Sequence, residues 1–305
     1  MSDFPVESQT TAPVVIAETR PLYWSVRREL WENRSIYLAP LAVAAVFEFG
    51  FLISGLSVRR HVAALVGMTP VKQRALVMMP YTFVAGLVLM TAFFVGVFYC
   101  LDALYGERRD RSILFWKSLP VSDRTTVLAK AIIPFIVLPV LVFAIVVTTQ
   151  LVMLLINVAA LRGNAFGQTM LWTHLKLAQL MVVILYGIVV VALWHAPIYA
   201  WMLLVSSWAR RAAFLWAILP YMVIAMFEKI AFGTQYFQLM LGQRVAGFFK
   251  VAFVDQPKGT TMPMDPLAAI TPGRFLSSPA LWIGLIFAAA FLVATIRLRR
   301  YREPI

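Results

Sequence analysis

Phosphate-binding loops, cysteine pairs and balanced charge are all missing from this chain. No Gly-x-x-x-x-Gly-Lys-Ser/Thr run occurs, so the polypeptide has no backbone cradle for the phosphates of a nucleotide. A single cysteine, Cys100, excludes disulfides, dithiol redox motifs and cysteine-based metal centres. His61, His174 and His195 stand on separate segments without metal-ligand spacing, and no acidic pair, nucleophile elbow or Glu-x-x-His pair accompanies them. Charged residues make up only 13% of the chain, too few to cover a water-soluble domain, and acids are scarcer than bases, 14 against 27.

What fills the chain is apolar: 61% of its 305 residues are hydrophobic, and the mean hydropathy is +0.81. Apolar runs fall at 36–56, 77–101, 131–157, 177–205, 213–232 and 280–296. At 1.5 Å per residue each is long enough to cross a hydrocarbon core of about 30 Å. Since a spanning segment must satisfy its own backbone, these runs read as helices. The expected fold is an all-α integral membrane protein, with six transmembrane helices in one domain at 36–305 and a preceding segment at 1–35. That segment lacks the short apolar core and cleavage site of a signal peptide and is expected to be retained. Pro40, Pro80, Pro134, Pro139, Pro197 and Pro220 fall in or beside the runs and predict kinks.

Segments 1–35, 102–130, 206–212 and 297–305 carry 16 Lys and Arg against 10 in the alternate loops. Both termini are therefore expected on the cytoplasmic side. The net charge of +13 sits mainly at span ends, where it anchors helices to anionic headgroups, and no basic groove or fold signature points to nucleic acid.

Two segments are neither spanning nor featureless. In 21–35, helical spacing gathers Leu22, Tyr23, Trp24, Val26, Leu30 and Trp31 on one arc, opposite Ser25, Arg28, Glu29 and Glu32. This reads as a helix lying on the membrane surface, with a plain extension of the first span as the alternative. In 112–119, Ile113, Phe115, Trp116 and Leu119 are expected on one face, Pro120 ends the helix, and Ser122 caps the next one. Docking into a protein groove and resting on lipid fit this short apolar-faced helix equally well.

Around that helix the chain resembles the permease subunits of type-2 ABC transporters, mostly exporters. Their second cytoplasmic segment typically reads Glu-Arg, then Gly-Thr-hydrophobic-Glu, then Pro-Val-Ser, then a Lys opening the third span. Glu107 and Arg108 take the first positions, Ser112 replaces Thr, and Ile113 keeps the hydrophobic. Pro120, Val121, Ser122 and Lys130 follow at the expected spacing, while Arg111 stands where Gly is usual and Leu114 where an acid is usual. The resemblance covers nearly the whole chain and implies an amphipathic helix before the first span, six spans, and a partly inserted outer segment before the sixth. The counterpart of the last is 234–253, interrupted by Gly242 and Gly247.

The resemblance further implies that this chain carries no cofactor and no catalytic activity of its own. ATP and Mg²⁺ would bind a separate nucleotide-binding subunit, into whose groove the coupling helix near 112–119 fits. The coupling residues would be Glu107, Arg108, the apolar face of the helix, and Ser112, Pro120 and Ser122 at its borders. A second permease chain, identical or related, would complete the path.

Inside the spans, Glu48 lies about 12 residues into the first helix, near mid-membrane, and His195 sits beside a proline. Substrate-path and structural roles are both open for them. Two other classes remain alternatives, an integral-membrane enzyme acting on lipid and a secondary transporter. The first lacks catalytic constellations, and the second lacks paired broken helices in matching halves.

Overall fold

The computed structural model describes residues 20–55, 67–118, 121–254 and 266–301. Among the described residues secondary structure is helical, and the β feature is an isolated bridge between Phe253 and Ile270. A short helix, α1 (Pro21–Glu32), precedes α2 (Ser35–Gly55). The third helix, α3 (Pro70–Ala103), has 34 residues and is about 51 Å long. It passes through Leu104 into α4 (Tyr105–Arg109), which is followed by α5 (Ser112–Ser118). Next, α6 (Asp123–Ile132) continues through a π-helical turn into α7 (Leu138–Ala160). Then come α8 (Ala165–His174), α9 (Leu177–Trp194), α10 (Ala196–Trp208) and α11 (Ala213–Phe232). The chain closes with α12 (Tyr236–Ala246), α13 (Phe248–Ala252), α14 (Pro272–Leu276) and α15 (Pro279–Tyr301).

Among the described residues six helical runs are long and apolar enough to cross a membrane: Ser35–Gly55, Pro70–Arg109, Asp123–Ala160, Ala165–Trp194, Ala213–Phe232 and Pro279–Tyr301. This is the architecture of a multi-pass helical membrane protein. The fourth differs from the expected 177–205. It begins at Ala165, and the helix breaks at His195, because Pro197 has no N–H to give the Leu193 carbonyl. In the third run the prolines produce a different irregularity. Between Pro134 and Pro139 the helix widens into a π turn at Ile133–Val137, with the Leu138 N–H bonding the Ile133 carbonyl.

The core sits where α2, α3, α7, α9 and α10 meet, around Tyr81, Val88, Val146, Met153 and Leu203. Ala92, Gly96 and Cys100 recur every four residues on the packed face of α3, so backbones approach closely there. A Cβ at Gly96 would lie 2.9 Å from Tyr199 Cε1 and 3.2 Å from Leu138 Cδ2. Ala196 and Ala200 of α10 face Ala288 of α15 in the same manner.

The segment from α12 to α14 is held at both ends. Gly233, at φ 66°, ends α11 in the left-handed conformation that glycine adopts without strain. Glu228 then accepts from the Thr234 hydroxyl and from the backbone N–H groups of Tyr236 and Phe237, the first free donors of α12. Gly247 separates α12 from α13, and a side chain there would collide with the Gln243 carbonyl. Phe248 and Ala252 of α13 pack with Val190 and Trp194 of α9 and with Phe275 and Leu281. The Tyr186 hydroxyl donates to the Ala252 carbonyl. Tyr186 lies 9 residues past the start of α9, about 14 Å along its axis, so the segment runs well down the side of the bundle.

The α3 crossing gives a packing test. Gly96→Val forces Tyr199 and Leu138 apart and should cost about 1–3 kcal/mol by overpacking, read as a lowered thermal midpoint in detergent. Gly86, whose Cβ would meet nothing, is the control: Gly86→Val should leave the midpoint close to wild type.

Candidate functional site

Periodicity in α1 separates an aromatic arc from a polar one, and the structure turns the polar arc inward. Tyr23, Trp24 and Trp31 are exposed, whereas Glu29 is 1% exposed and Val26 and Leu30 rest on the core. Arg27 stays on the outer side, its guanidinium 4.6 Å from the Trp31 ring centre and 5.4 Å from that of Trp24.

Glu29 meets a buried ion cluster drawn from four helices. Lys130 Nζ, on α6, lies 2.8 Å from Glu29 Oε1 and 3.1 Å from Glu107 Oε1. Arg299, near the end of α15, places Nη1 2.6 Å from Glu107 Oε2 and Nε 3.1 Å from Asp123 Oδ1. Arg28 Nη2 reaches Glu29 at 2.8 Å and Glu107 at 3.3 Å. The Tyr99 hydroxyl of α3 donates to Glu29 Oε2 at 2.9 Å. Each buried carboxylate therefore has cations and a hydrogen-bond donor around it, which is the condition for keeping charge away from water. Burial would raise the Glu29 carboxyl's pKa, but Lys130 and Arg28 outweigh it and hold the group below the ordinary glutamate range.

Beside Glu107, Arg108 is 3% exposed and donates through Nη2 to the Ser206 and Ala209 carbonyls at the end of α10. The Ser206 hydroxyl oxygen accepts the Leu104 and Tyr105 backbone N–H groups at 2.9 and 2.8 Å, which fixes the break between α3 and α4. The ends of α3, α10 and α15 and the starts of α2 and α6 thus share one end of the bundle.

From this anchor α5 projects. Arg111, between α4 and α5, adopts φ 57°, a left-handed conformation costing a non-glycine residue roughly 1–2 kcal/mol. The Ser112 hydroxyl donates to the Glu107 carbonyl at 3.4 Å. Ile113 is 2% exposed, while Leu114 and Phe115 are each 59% exposed. The single apolar face expected for 112–119 is therefore divided, with Ile113 turned into the protein and Phe115 turned out beside Leu114. The Trp116 side chain, Leu119 and Pro120 lie outside the described residues. Ser122 caps α6, its hydroxyl oxygen accepting the Thr125 N–H at 3.1 Å.

Glu48 and His195 are not part of this cluster. Both Glu48 carboxylate oxygens are covered and have no hydrogen-bond partner among the described residues. His195 lies at the α9–α10 break with its ring nitrogens against the Val191 and Val245 carbonyls. No group of three or more His, Cys, Asp or Glu suited to a metal ion occurs among the described residues. Sequence reasoning had no role for Tyr99, Lys130 beyond its motif position, Ser206 or Arg299, and it assigned Glu29 to a solvent face. The available signal was the scarcity of acids: Glu29 and Glu107 stand close to the ends of apolar runs, where a carboxylate needs a cation.

Comparison with protein-family models, with curated proteins and with solved structures finds no match.

Two predictions test the cluster. Lys130→Met leaves Glu29 and Glu107 short of a cation and should cost about 3–5 kcal/mol, with Glu29→Gln in that background recovering part of the loss in thermal unfolding. An unchanged midpoint in the single variant contradicts the geometry. The Glu29 carboxyl is held below its unfolded-state value, so its stabilisation is complete above the ordinary glutamate range and is lost as pH falls through the folded-state value. Acid titration of the midpoint should show this loss, reduced in Glu29→Gln.

Proposed function

We propose that the chain is the transmembrane permease of an ATP-driven exporter of the type-2 ABC class, moved by a separate ATPase subunit that docks on α5. The observation that carries this reading is an exposed apolar pair, Leu114 and Phe115, on a short helix anchored through Glu107 and Arg108 to helices on every side. Burying each of the two side chains contributes roughly 1.5–3 kcal/mol before ordering costs, enough for a docking contact.

The backbone supports the resemblance from another direction. Arg111, where similar permeases usually carry Gly, takes a left-handed φ. Ala212, in the turn after α10, does so too, at φ 47°. Strain of this kind persists where surrounding structure imposes it. The α12–α13 segment, packed down the side of α9, suits the partly inserted outer element of the same family.

In this reading the ion cluster lies at the cytoplasmic ends of the spans, and both termini are cytoplasmic. The protein resides in the cell membrane, and a second permease chain completes the path. ATP and Mg²⁺ stay on the ATPase, whose closure pulls on α5 and shifts the bundle between inward-facing and outward-facing packings. One observation favours a second reading, transport driven by an ion gradient: the unpartnered Glu48 carboxylate. Uptake into reconstituted vesicles under a proton gradient, without ATP or a partner, would select that reading.

Leu114→Asp and Phe115→Asp alter exposed positions and should leave the thermal midpoint within about 0.5 kcal/mol of wild type. They should lower co-purification of the ATPase at least tenfold and abolish vanadate-sensitive ATPase stimulation by the permease. Retention of both activities in both variants removes the docking assignment. Arg111→Gly should stabilise the chain by about 1 kcal/mol, because glycine accepts the left-handed turn.

A further inference from the structure

The outer arc of α1 carries an alternation that the ion cluster does not use. Arg20, Trp24, Arg27, Trp31 and Arg34 follow one another at steps of four, three, four and three residues. At about 100° per residue those steps keep Trp24, Arg27 and Trp31 within about 60° of arc on α1. Arg20 stands at the N-cap on the same line, and Arg34 stands in the link between α1 and α2. All five are exposed, the two indoles by more than half. The ion pairs of this segment are made by Arg28, with Glu29, Glu32 and Glu107, and none among the described residues reaches Arg20, Arg27 or Arg34.

Arg27 is held in place without being neutralised. Its guanidinium lies 4.6 Å from the Trp31 ring centre and 5.4 Å from that of Trp24, so the two indoles orient the planar group. Its N–H donors make no hydrogen bond among the described residues. A planar cation with an open donor fork matches two oxygens of a phosphate. Directly after Arg34 begins α2, apolar and long enough to cross a membrane, so the stripe stands at the edge of the hydrocarbon. Indoles favour that level, and unpaired cations there attract anionic headgroups.

We propose that this stripe is a binding site for the phosphate of anionic phospholipid headgroups, with Arg27 as the chelating group and Trp24 and Trp31 as its clamps. Arg20, about 10 Å from Arg27 along the axis, and Arg34 meet neighbouring headgroups. Phosphatidylglycerol offers an uncompensated phosphate charge, whereas phosphatidylcholine cancels its own with an ammonium. Interleaved Arg and aromatic residues also suit single-stranded nucleic acid, but a stripe that leads straight into a spanning helix is set against lipid. Helix α1 is then held on two sides, by Glu29 and Arg28 in the ion cluster and by headgroups on the opposite arc. The inference rests on the multi-pass architecture and not on the permease reading, so a chain that recruits no ATPase can still bind lipid here.

Full-length protein in detergent micelles, titrated with phosphatidylglycerol bearing a headgroup diazirine, tests the site. Labelling of residues 20–34, mapped by peptide mass spectrometry, should saturate. Unlabelled phosphatidylglycerol should displace it at least tenfold more readily than phosphatidylcholine, and glycerol 3-phosphate in solution should not displace it. Arg27→Gln should raise the half-maximal lipid concentration roughly fivefold, and Arg27→Lys, which keeps the charge without the fork, should recover part of that loss. The triple variant Arg20→Gln, Arg27→Gln, Arg34→Gln should show no saturable labelling. Arg210→Gln with Arg211→Gln, exposed between α10 and α11, should leave labelling of 20–34 within about twofold of wild type. Equal displacement by phosphatidylcholine, displacement by glycerol 3-phosphate, or labelling that persists in the triple variant overturns the proposal. So do crosslinks to nucleic acid or to another protein, in place of lipid, from a benzophenone amino acid replacing Tyr23 in native membranes. If the triple variant does not fold, Arg27→Gln and the wild-type competition decide.

Discussion

Two buried carboxylates share one ammonium, and much of one end of the helical bundle is arranged around that fact. Glu29 and Glu107 come from segments 78 positions apart, and Lys130 lies within hydrogen-bonding distance of both. None of the three is tolerable alone at this depth, because an isolated charge in a low-dielectric interior is strongly destabilised. Helix α1, the end of the second run, the start of the third and the end of α15 are therefore fixed relative to one another by charge. Arg299 closes the cluster by joining Glu107 to Asp123.

That arrangement gives α5 a stiff base. Glu107 and Arg108 are adjacent but point to different partners, the first to the ion cluster and the second to the α10 carbonyls at Ser206 and Ala209. Glu107 thus ties α4 to α1, α6 and α15, and Arg108 ties it to α10. The left-handed Arg111 sits between this base and the exposed pair Leu114 and Phe115, where the chain must turn sharply to present them. On the proposed reading, rigidity at the base and exposure at the tip are the two properties that a coupling element requires.

The number of spanning-length helices and the place of five of them were legible because hydropathy over about 20 residues dominates every other signal in lipid. The Ser122 cap was legible for the same kind of reason, a local rule acting within one turn. What escaped was decided by distant partners. Periodicity placed Glu29 opposite the aromatic residues of α1, but it could not say that protein rather than water lay on that side. Ile113 and Phe115 looked like one apolar face until the fold turned one of them inward. The span expected at 177–205 was a continuous apolar run, and hydropathy could not reveal that Pro197 would divide it at His195 and leave an imidazole between two carbonyls. Pairing across the bundle is long-range information, and one sequence holds it only implicitly.

The central claim is that motion enters this chain through α5 from a separate ATPase. The most direct measurement is photo-crosslinking in native membranes with a benzophenone amino acid in place of Phe115. The account predicts a crosslinked protein carrying a Gly-x-x-x-x-Gly-Lys-Ser/Thr loop, absent when the probe replaces the buried Ile113. Crosslinks to lipid alone, in membranes where the chain supports transport, would contradict it.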